Sequence, residues 1–393
     1  MRIGINGRVL QESISGIPRF TLALVEGLAE PETGCEVHLF LLNRPFAEAW
    51  VQERLTSNPR IIQHFSRWSG NSYLSRALWD LVFLGLEAKR HRLDLLYGPS
   101  FTVPWIAPCP TVVMIYDLTL SKAPLLSRRP SWLLFKAFHL CVLLPTVTRS
   151  AEAIVTCSES TREDLVRDYG VPMARIHVIY GGVEESFRRL EDDGYVNEVL
   201  QRLGIRRPYI LNPSGMIPRK NQRMLIEAFA RFRLLHADRY QLVMTGSNAS
   251  HYVRQVRQQI KHFGLDQDVL LLPFVQEQEL VALYNGAALC VYPSLYEGFG
   301  LPVLEAMACG VPVVASSASS LPELVEDAGL LVSPRDEEAW AQAMYSVLSQ
   351  EYLRRELAAR GLQRVRKFTW QRAVERTLQL FRAVLEVGRG GGS

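Results

Sequence analysis

The stretch SLYEGFGLPVLEAMACGVPVVAS, Ser294 to Ser316, holds two glutamates, Glu297 and Glu305, on either side of a glycine-rich turn. Pro302 lacks a backbone N–H and has a fixed φ, which suits the first position of a helix. Gly310 fits the residue just past a helix end, and Pro312 stops any continuation. A helix is therefore expected from Pro302 to Cys309, with Glu305 in its first turn. The N-terminus of such a helix offers free N–H groups and a positive dipole end, which attract a phosphate. Gly298 and Gly300 let a ligand approach the backbone closely. Carboxylates accept hydrogen bonds from sugar hydroxyls. One carboxylate on each side of an anion-binding turn thus fits a ligand with a sugar at each end of a diphosphate, a nucleoside diphosphate sugar. The alternative is an acidic residue that only complements the helix dipole.

The chain has 393 residues, 48% of them apolar and 21% charged. That is an ordinary globular composition, and the length implies two domains. No tract approaches the roughly 20 apolar residues of a membrane span. The N-terminal MRIGINGRVL has no secretory pattern. Six scattered cysteines form no CxxC pair, which argues against a zinc site and suits buried thiols in a reducing compartment. Residues 1–150 hold 16 Lys+Arg against 11 Asp+Glu, a net +5, and the remainder 28 against 29, a net −1. No dense basic run interleaves with aromatics, so nucleic acid is not the expected partner. Cytoplasmic placement is expected.

Two halves read as repeated strand–helix units. RIGING (2–7), EVHLFLL, LDLLYG, TVVMIYD and AIVTCS are strand patterns in the first, with a helical pattern at FTLALVEGLA (20–29). YILNPSG (209–215), YQLVMTGS (240–247), VLLLPFV (269–275), AALCVYPS (287–294), VPVVAS (311–316) and GLLVSP (329–334) are strand patterns in the second. Short β-rich runs alternating with helices imply parallel sheets with crossover helices. The expected class is α/β, with two Rossmann-like doubly wound domains facing a central cleft, the default ligand site. The boundaries read as 1–187 for an acceptor-binding domain, 188–207 for a charged connection and 208–368 for a nucleotide-sugar domain. An amphipathic helix over 369–387 is expected to brace both domains, followed by a flexible tail, 388–393.

The opening stretch resembles the donor-site signature of the glycosyltransferases of family 4, which have the GT-B fold and act with retention. That signature is two glutamates separated by seven residues, matched by Glu297 and Glu305. The resemblance extends to IVTCSESTREDLVRDYGV (154–171), VIYGGVEESF (178–187) and PSGMIPRKNQRMLIEAF (213–229), so it spans nearly the whole chain. It implies transfer of a hexosyl group to a glycan, lipid-linked or small-molecule acceptor, with no cofactor. The motifs are most similar to those of mannosyltransferases, which points to GDP-mannose first and a UDP-sugar second. By the same resemblance Arg219 and Lys220 bind the donor diphosphate. Gly16, Gly215, Phe274, Val275, Gly298, Phe299, Gly300, Leu301 and Glu305 surround the donor. Asn221 is expected to cap the helix after it.

Many family members carry His-Asp where this chain has Tyr116-Asp117. A phenol is a poor base at neutral pH, since its pKa is near 10. The resemblance implies that the leaving phosphate takes the acceptor's proton, so no protein base is needed. Asp117 is then the next candidate for contact with sugar or acceptor, against capping of the following turn. Asp266-Gln267-Asp268 is an Asp-x-Asp, but its place before a strand reads as a turn. No carboxylate–histidine cluster in the sequence suggests a metal. RRPSWLLFKAFHLCVLLP (128–145) pairs basic residues with an apolar face, a core helix or a peripheral contact with the inner face of the cell membrane. Two other classes stay open: a phosphorylase or epimerase of the same fold, and a non-catalytic nucleotide-sugar binding protein. Alanine at Glu297 or Lys220 is expected to abolish transfer while leaving the melting temperature within a few degrees.

Overall fold

The computed structural model describes residues 1–13, 16–70, 72–122, 136–235 and 239–390. The chain divides into two compact units, Met1–Gly182 with Trp370–Ser393, and Val183–Thr369. Each is built on one parallel sheet. The first sheet holds β1 (Arg2–Asn6), β2 (Glu36–Leu41), β3 (Ile61–Phe65), β4 (Leu95–Gly98), β5 (Thr111–Ile115), β6 (Ala153–Thr156) and β7 (Ile176–Val178). Its spatial order is β3-β2-β1-β4-β5-β6-β7. The second holds β8 (Tyr209–Asn212), β9 (Gln241–Met244), β10 (Val269–Leu271), β11 (Leu289–Tyr292), β12 (Val313–Ser316) and β13 (Leu330–Val332), in the order β10-β9-β8-β11-β12-β13.

Both are doubly wound α/β sheets, as the alternating pattern implied. Central strands of a parallel sheet are covered by helices on both faces, so their residues are mostly apolar. β4, β5, β6, β8, β9, β11 and β12 are buried along their full length. The two strands without a sequence signal, β3 and β7, are the edges of the first sheet. Their sequences, IIQHF and IHV, are half-exposed and mix polar with apolar side chains.

The charged segment 188–207 contains a helix, Asp193–Arg202, started by Asp192, whose side chain accepts from the Gly194 N–H. Val196, Val199 and Leu200 are its buried face. The last helix, Trp370–Gly390, runs into the tail by three residues beyond Val387. It belongs to the first unit, although about 190 residues of chain intervene. Trp370 meets Phe20 edge to face at 5.4 Å, and Phe381 packs on Tyr97 of β4 at 5.5 Å.

Gly27, on the helix Gly16–Leu28, sets the closeness of that packing. A Cβ there would fall 2.4 Å from Val374 Cγ2. Gly27→Val should destabilise the protein by about 1–3 kcal/mol through overpacking. Adding Val374→Ala should recover most of the loss in thermal denaturation, and no recovery would contradict this contact.

Candidate active site

In the second sheet the chain winds outward from β8 to β10, then returns to β11 and winds the other way. β8 and β11 therefore flank a switch point, where crevices form outside the strand ends. After β8 comes the 3₁₀ turn Pro218–Lys220; after β11 comes the loop bearing Glu297. Arg219 Nη1 lies 2.8 Å from Glu297 Oε2, and Lys220 Nζ 2.6 Å from Oε1. Arg219 also donates to the Tyr296 carbonyl, and Lys220 to the Tyr292 hydroxyl, with its ammonium 4.8 Å from that ring's centroid. Two cations share one carboxylate, so the cluster carries one net positive charge. Burial alone would raise the Glu297 pKa; Lys220 and Arg219 outweigh it and hold the carboxyl below its ordinary value.

Asn221 has φ 62°, and its amide donates to the Pro293 carbonyl at 3.1 Å and the Pro334 carbonyl at 2.7 Å. It ties the cation turn to the loops after β11 and β13, and this replaces the expected capping role. The glutamate loop is fixed from the far side. The Glu297 N–H donates to Ser319 Oγ at 2.8 Å, and the Ser320 hydroxyl donates to the Glu297 and Phe299 carbonyls. Neither serine carried a sequence signal, because a lone Ser after a strand has no distinctive spacing.

The helix after the turn is Leu301–Ala308, one residue earlier at each end than expected. Gly300 precedes it at φ 126°, a conformation open to glycine. Glu305 consequently lies in the second turn and is buried, not in an open first turn. Its Oε2 accepts from the Tyr284 hydroxyl at 2.9 Å. Burial, and then Glu305, push the Tyr284 pKa well up, so the phenol stays a donor. Gly298 is buried and Phe299 half-buried. Gly215 is open, with nothing within 4 Å of a Cβ built there. Gly246, at φ 74°, backs directly onto the Gly215 Cα, and its N–H donates to the Pro273 carbonyl. The loops after β8, β9 and β10 thus lie side by side, with Phe274 82% exposed and Val275 buried. Asp266–Asp268 forms the turn before β10, where Arg233 engages Asp268.

Gly16, Tyr116 and Asp117 belong to the first unit. Gly16 opens its helix, with free space where a Cβ would be. Tyr116 is buried edge-on to Phe20 at 5.6 Å. Burial raises its pKa well above 10. Asp117 Oδ1 accepts from the Thr119 N–H at 2.8 Å, which caps the turn at Thr119–Lys122. The first sheet has its own switch point between β1 and β4. A cavity of about 150 Å³ there is lined by Arg8, Arg76, Asp80, Ser100, Phe101 and His139. Arg8 Nη2 lies 3.1 Å from Asp80 Oδ2, and Asn6 donates to Oδ1 at 2.8 Å. No local motif marks this group, because Asp80 is 74 residues from Asn6. Of the cysteines, Cys35, Cys157, Cys290 and Cys309 are buried, but Cys141 is exposed.

Residues 14–187 match the family model "Glycosyltransferase Family 4", and residues 199–364 match "Glycosyl transferases group 1". The chain is 34% identical to O-antigen chain mannosyltransferase B of Escherichia coli, over 97% of this chain and all of that protein. It is 29% identical to the serotype-specific mannosyltransferase WbdA of Escherichia coli over 73% of its length, which is 35% of that longer relative. The solved structure of Anabaena Alr3699/HepE in complex with UDP-glucose has a TM-score of 0.75 at 20% identity, covering 98% of this chain and 100% of that one. Fold and relatives define an enzyme that transfers sugars on a GT-B framework. The chain belongs to glycosyltransferase family 4.

The buried triad alters the expectation for Glu297 variants. Removing the carboxylate leaves two mostly covered cations without their shared partner, a loss of about 3–5 kcal/mol. Glu297→Gln should therefore lower the melting temperature at pH 7 by on the order of 10 °C. A depressed folded pKa confers stability above the unfolded value, near 4.3, that is lost as pH falls through the folded value. The gap between wild type and variant should close as the pH drops below about 4. Equal melting temperatures at pH 7 would contradict the triad.

Proposed function

We propose that this glycosyltransferase moves a mannosyl group, with retention, from GDP-mannose to a glycan or lipid-linked acceptor without a metal ion. The observation that carries the reading is the net-positive Arg219–Lys220–Glu297 cluster at the β8/β11 switch point. Departure of a nucleoside diphosphate builds negative charge on its β-phosphate. Fixed cations and N–H groups aimed at that charge are the largest available rate effect. Arg219, Lys220 and the N-terminus of Leu301–Ala308 supply them, in the role a metal would otherwise fill. Glu305, oriented by Tyr284, is the acceptor for donor hydroxyls, and Phe274 with the Gly215 loop borders the base.

No side chain at β5 serves as a general base. Tyr116 holds its proton far above neutral pH, and Asp117 is engaged as a cap. The leaving phosphate then takes the acceptor's proton, on the same face as departure, which gives retention. The cavity at the β1/β4 switch point is the proposed acceptor site, where Arg8 and Asp80 offer donors and acceptors to sugar hydroxyls. The mannosyl choice rests on likeness to the O-antigen mannosyltransferase. The fold-level likeness to a UDP-glucose complex supports a UDP-sugar as the second reading.

The purified protein with EDTA and an acceptor extract should release GDP from GDP-mannose and retain the anomeric configuration by NMR. Release from UDP-glucose only would move the reading to the second donor. Phosphate-dependent turnover, or binding without turnover, would favour a phosphorylase or a binding protein instead.

Peripheral contact with the inner face of the cell membrane belongs to the same proposal. Residues 128–135 of the basic apolar segment lie outside the described residues, and no helix of the described residues is long and apolar enough to cross a membrane. A second surface supports the contact. Leu78, Val82 and Leu86, four residues apart, are exposed beside Trp105 and Ile106. Gly85 lets the Ile106 backbone lie against that helix. Such a stripe, with Lys89, Arg90 and Arg92 following, suits an anionic lipid surface. Vesicles with anionic lipid should float the protein, and Leu86→Asp with Ile106→Asp should abolish flotation. Flotation unchanged in the double variant would exclude this surface.

A further inference from the structure

We propose that His38, His64 and His91 form a site in the first unit for one divalent ion of the zinc class. The three come from separate elements: β2, β3 and the turn after the helix Leu84–Arg90. Parallel pairing sets Phe40 opposite His64 and His38 opposite Ile62, one pleat apart, so both imidazoles share a sheet face. His38 Nδ1 lies 2.9 Å from His64 Nε2, and one ring nitrogen from each histidine lies within 4.8 Å of the others. His64 and His91 have ring centroids 3.9 Å apart.

The outer contacts fit metal binding. Glu36 Oε1 lies 2.8 Å from His38 Nε2, two residues along the same strand face. A carboxylate on the outer nitrogen fixes the tautomer and turns the Nδ1 lone pair toward the other two histidines. Three imidazoles with a fourth position left open are a recurrent zinc set, with Zn–N about 2.0–2.1 Å. Tetrahedral ligands at that length stand about 3.3 Å apart. The 2.9 Å pair and the 4.8 Å limit on the set bracket this spacing, and His64 and His91 are half-buried. A groove of about 640 Å³ bordered by His64, Phe65, Trp68, Phe83 and Glu87 gives the ion a path in.

The bland alternative is a stack: His64 also lies over Phe40 at 5.1 Å. The His38 and His64 rings are also nearly parallel, at 12°, but stacking alone does not require that ring nitrogens of all three histidines converge and that one ring be backed by a carboxylate. The ion would pin the half-exposed edge strand β3 to β2, a structural role separate from sugar transfer.

Untagged protein stripped with EDTA should bind one equivalent of Co²⁺ with the intense visible bands of four-coordination, displaced by Zn²⁺. Zn²⁺ should raise the melting temperature of wild type and leave His64→Ala and His91→Ala unmoved. Glu36→Gln should weaken affinity 10–100-fold. Sugar-transfer activity should be retained in all three variants. No Co²⁺ spectrum and no Zn²⁺ stabilisation in wild type, or equal binding in both histidine variants, would overturn the site.

Discussion

A carboxylate sealed between an arginine and a lysine is the contact on which the strand-end loops of the second unit depend. Glu297 stays ionised inside the protein because Lys220 and Arg219 compensate its lost hydration. The same pairing brings two cations to one carboxylate. Because the cations come from the loop after β8 and the carboxylate from the loop after β11, the ion triad also locks together the two strand ends at which the sheet reverses direction. Asn221, Ser319 and Ser320 hold the flanking backbone, so the charges are preorganised before a ligand arrives.

This arrangement explains the division of labour between the two signature glutamates. On the proposed reading, Glu297 is the counter-ion that positions Arg219 and Lys220 for the donor phosphates. Glu305, one residue further from the start of its helix than the sequence implied, is held by the Tyr284 hydroxyl. Both are buried. In the structure one carboxylate pairs with two cations and the other accepts from a phenol.

The fold was legible because buried parallel strands must be apolar along their length, and every such strand announced itself. β3 and β7 did not, since these two edge strands are half-exposed and their sequences mix polar with apolar residues, unlike the apolar edges β10 and β13. At the site, Arg219, Lys220, Glu297 and Glu305 could be read from local motifs of strand end, turn and helix. Their mutual pairing could not, because Lys220 and Glu297 are 77 residues apart and meet only through the strand order. Asn221 misled for a related reason: a residue before a helix looks like a cap, but its αL backbone turns the side chain toward two carbonyls. The histidine group is the extreme case. His38, His64 and His91 lie about 26 residues apart in sequence, with no metal-ligand spacing, and only the register of β2 with β3 brings them together.

On the proposed mechanism, the Glu297-held cations recognise the terminal phosphate of the donor's diphosphate. Calorimetry with GDP and GMP, and with UDP and UMP, on wild type and on Lys220→Met tests it most directly. Wild type should prefer the diphosphate of its own base over the monophosphate by at least about tenfold, roughly 1.4 kcal/mol. Lys220→Met should lose most of that preference while binding the monophosphate as before. A preference unchanged in the variant, or absent in wild type, would contradict the account.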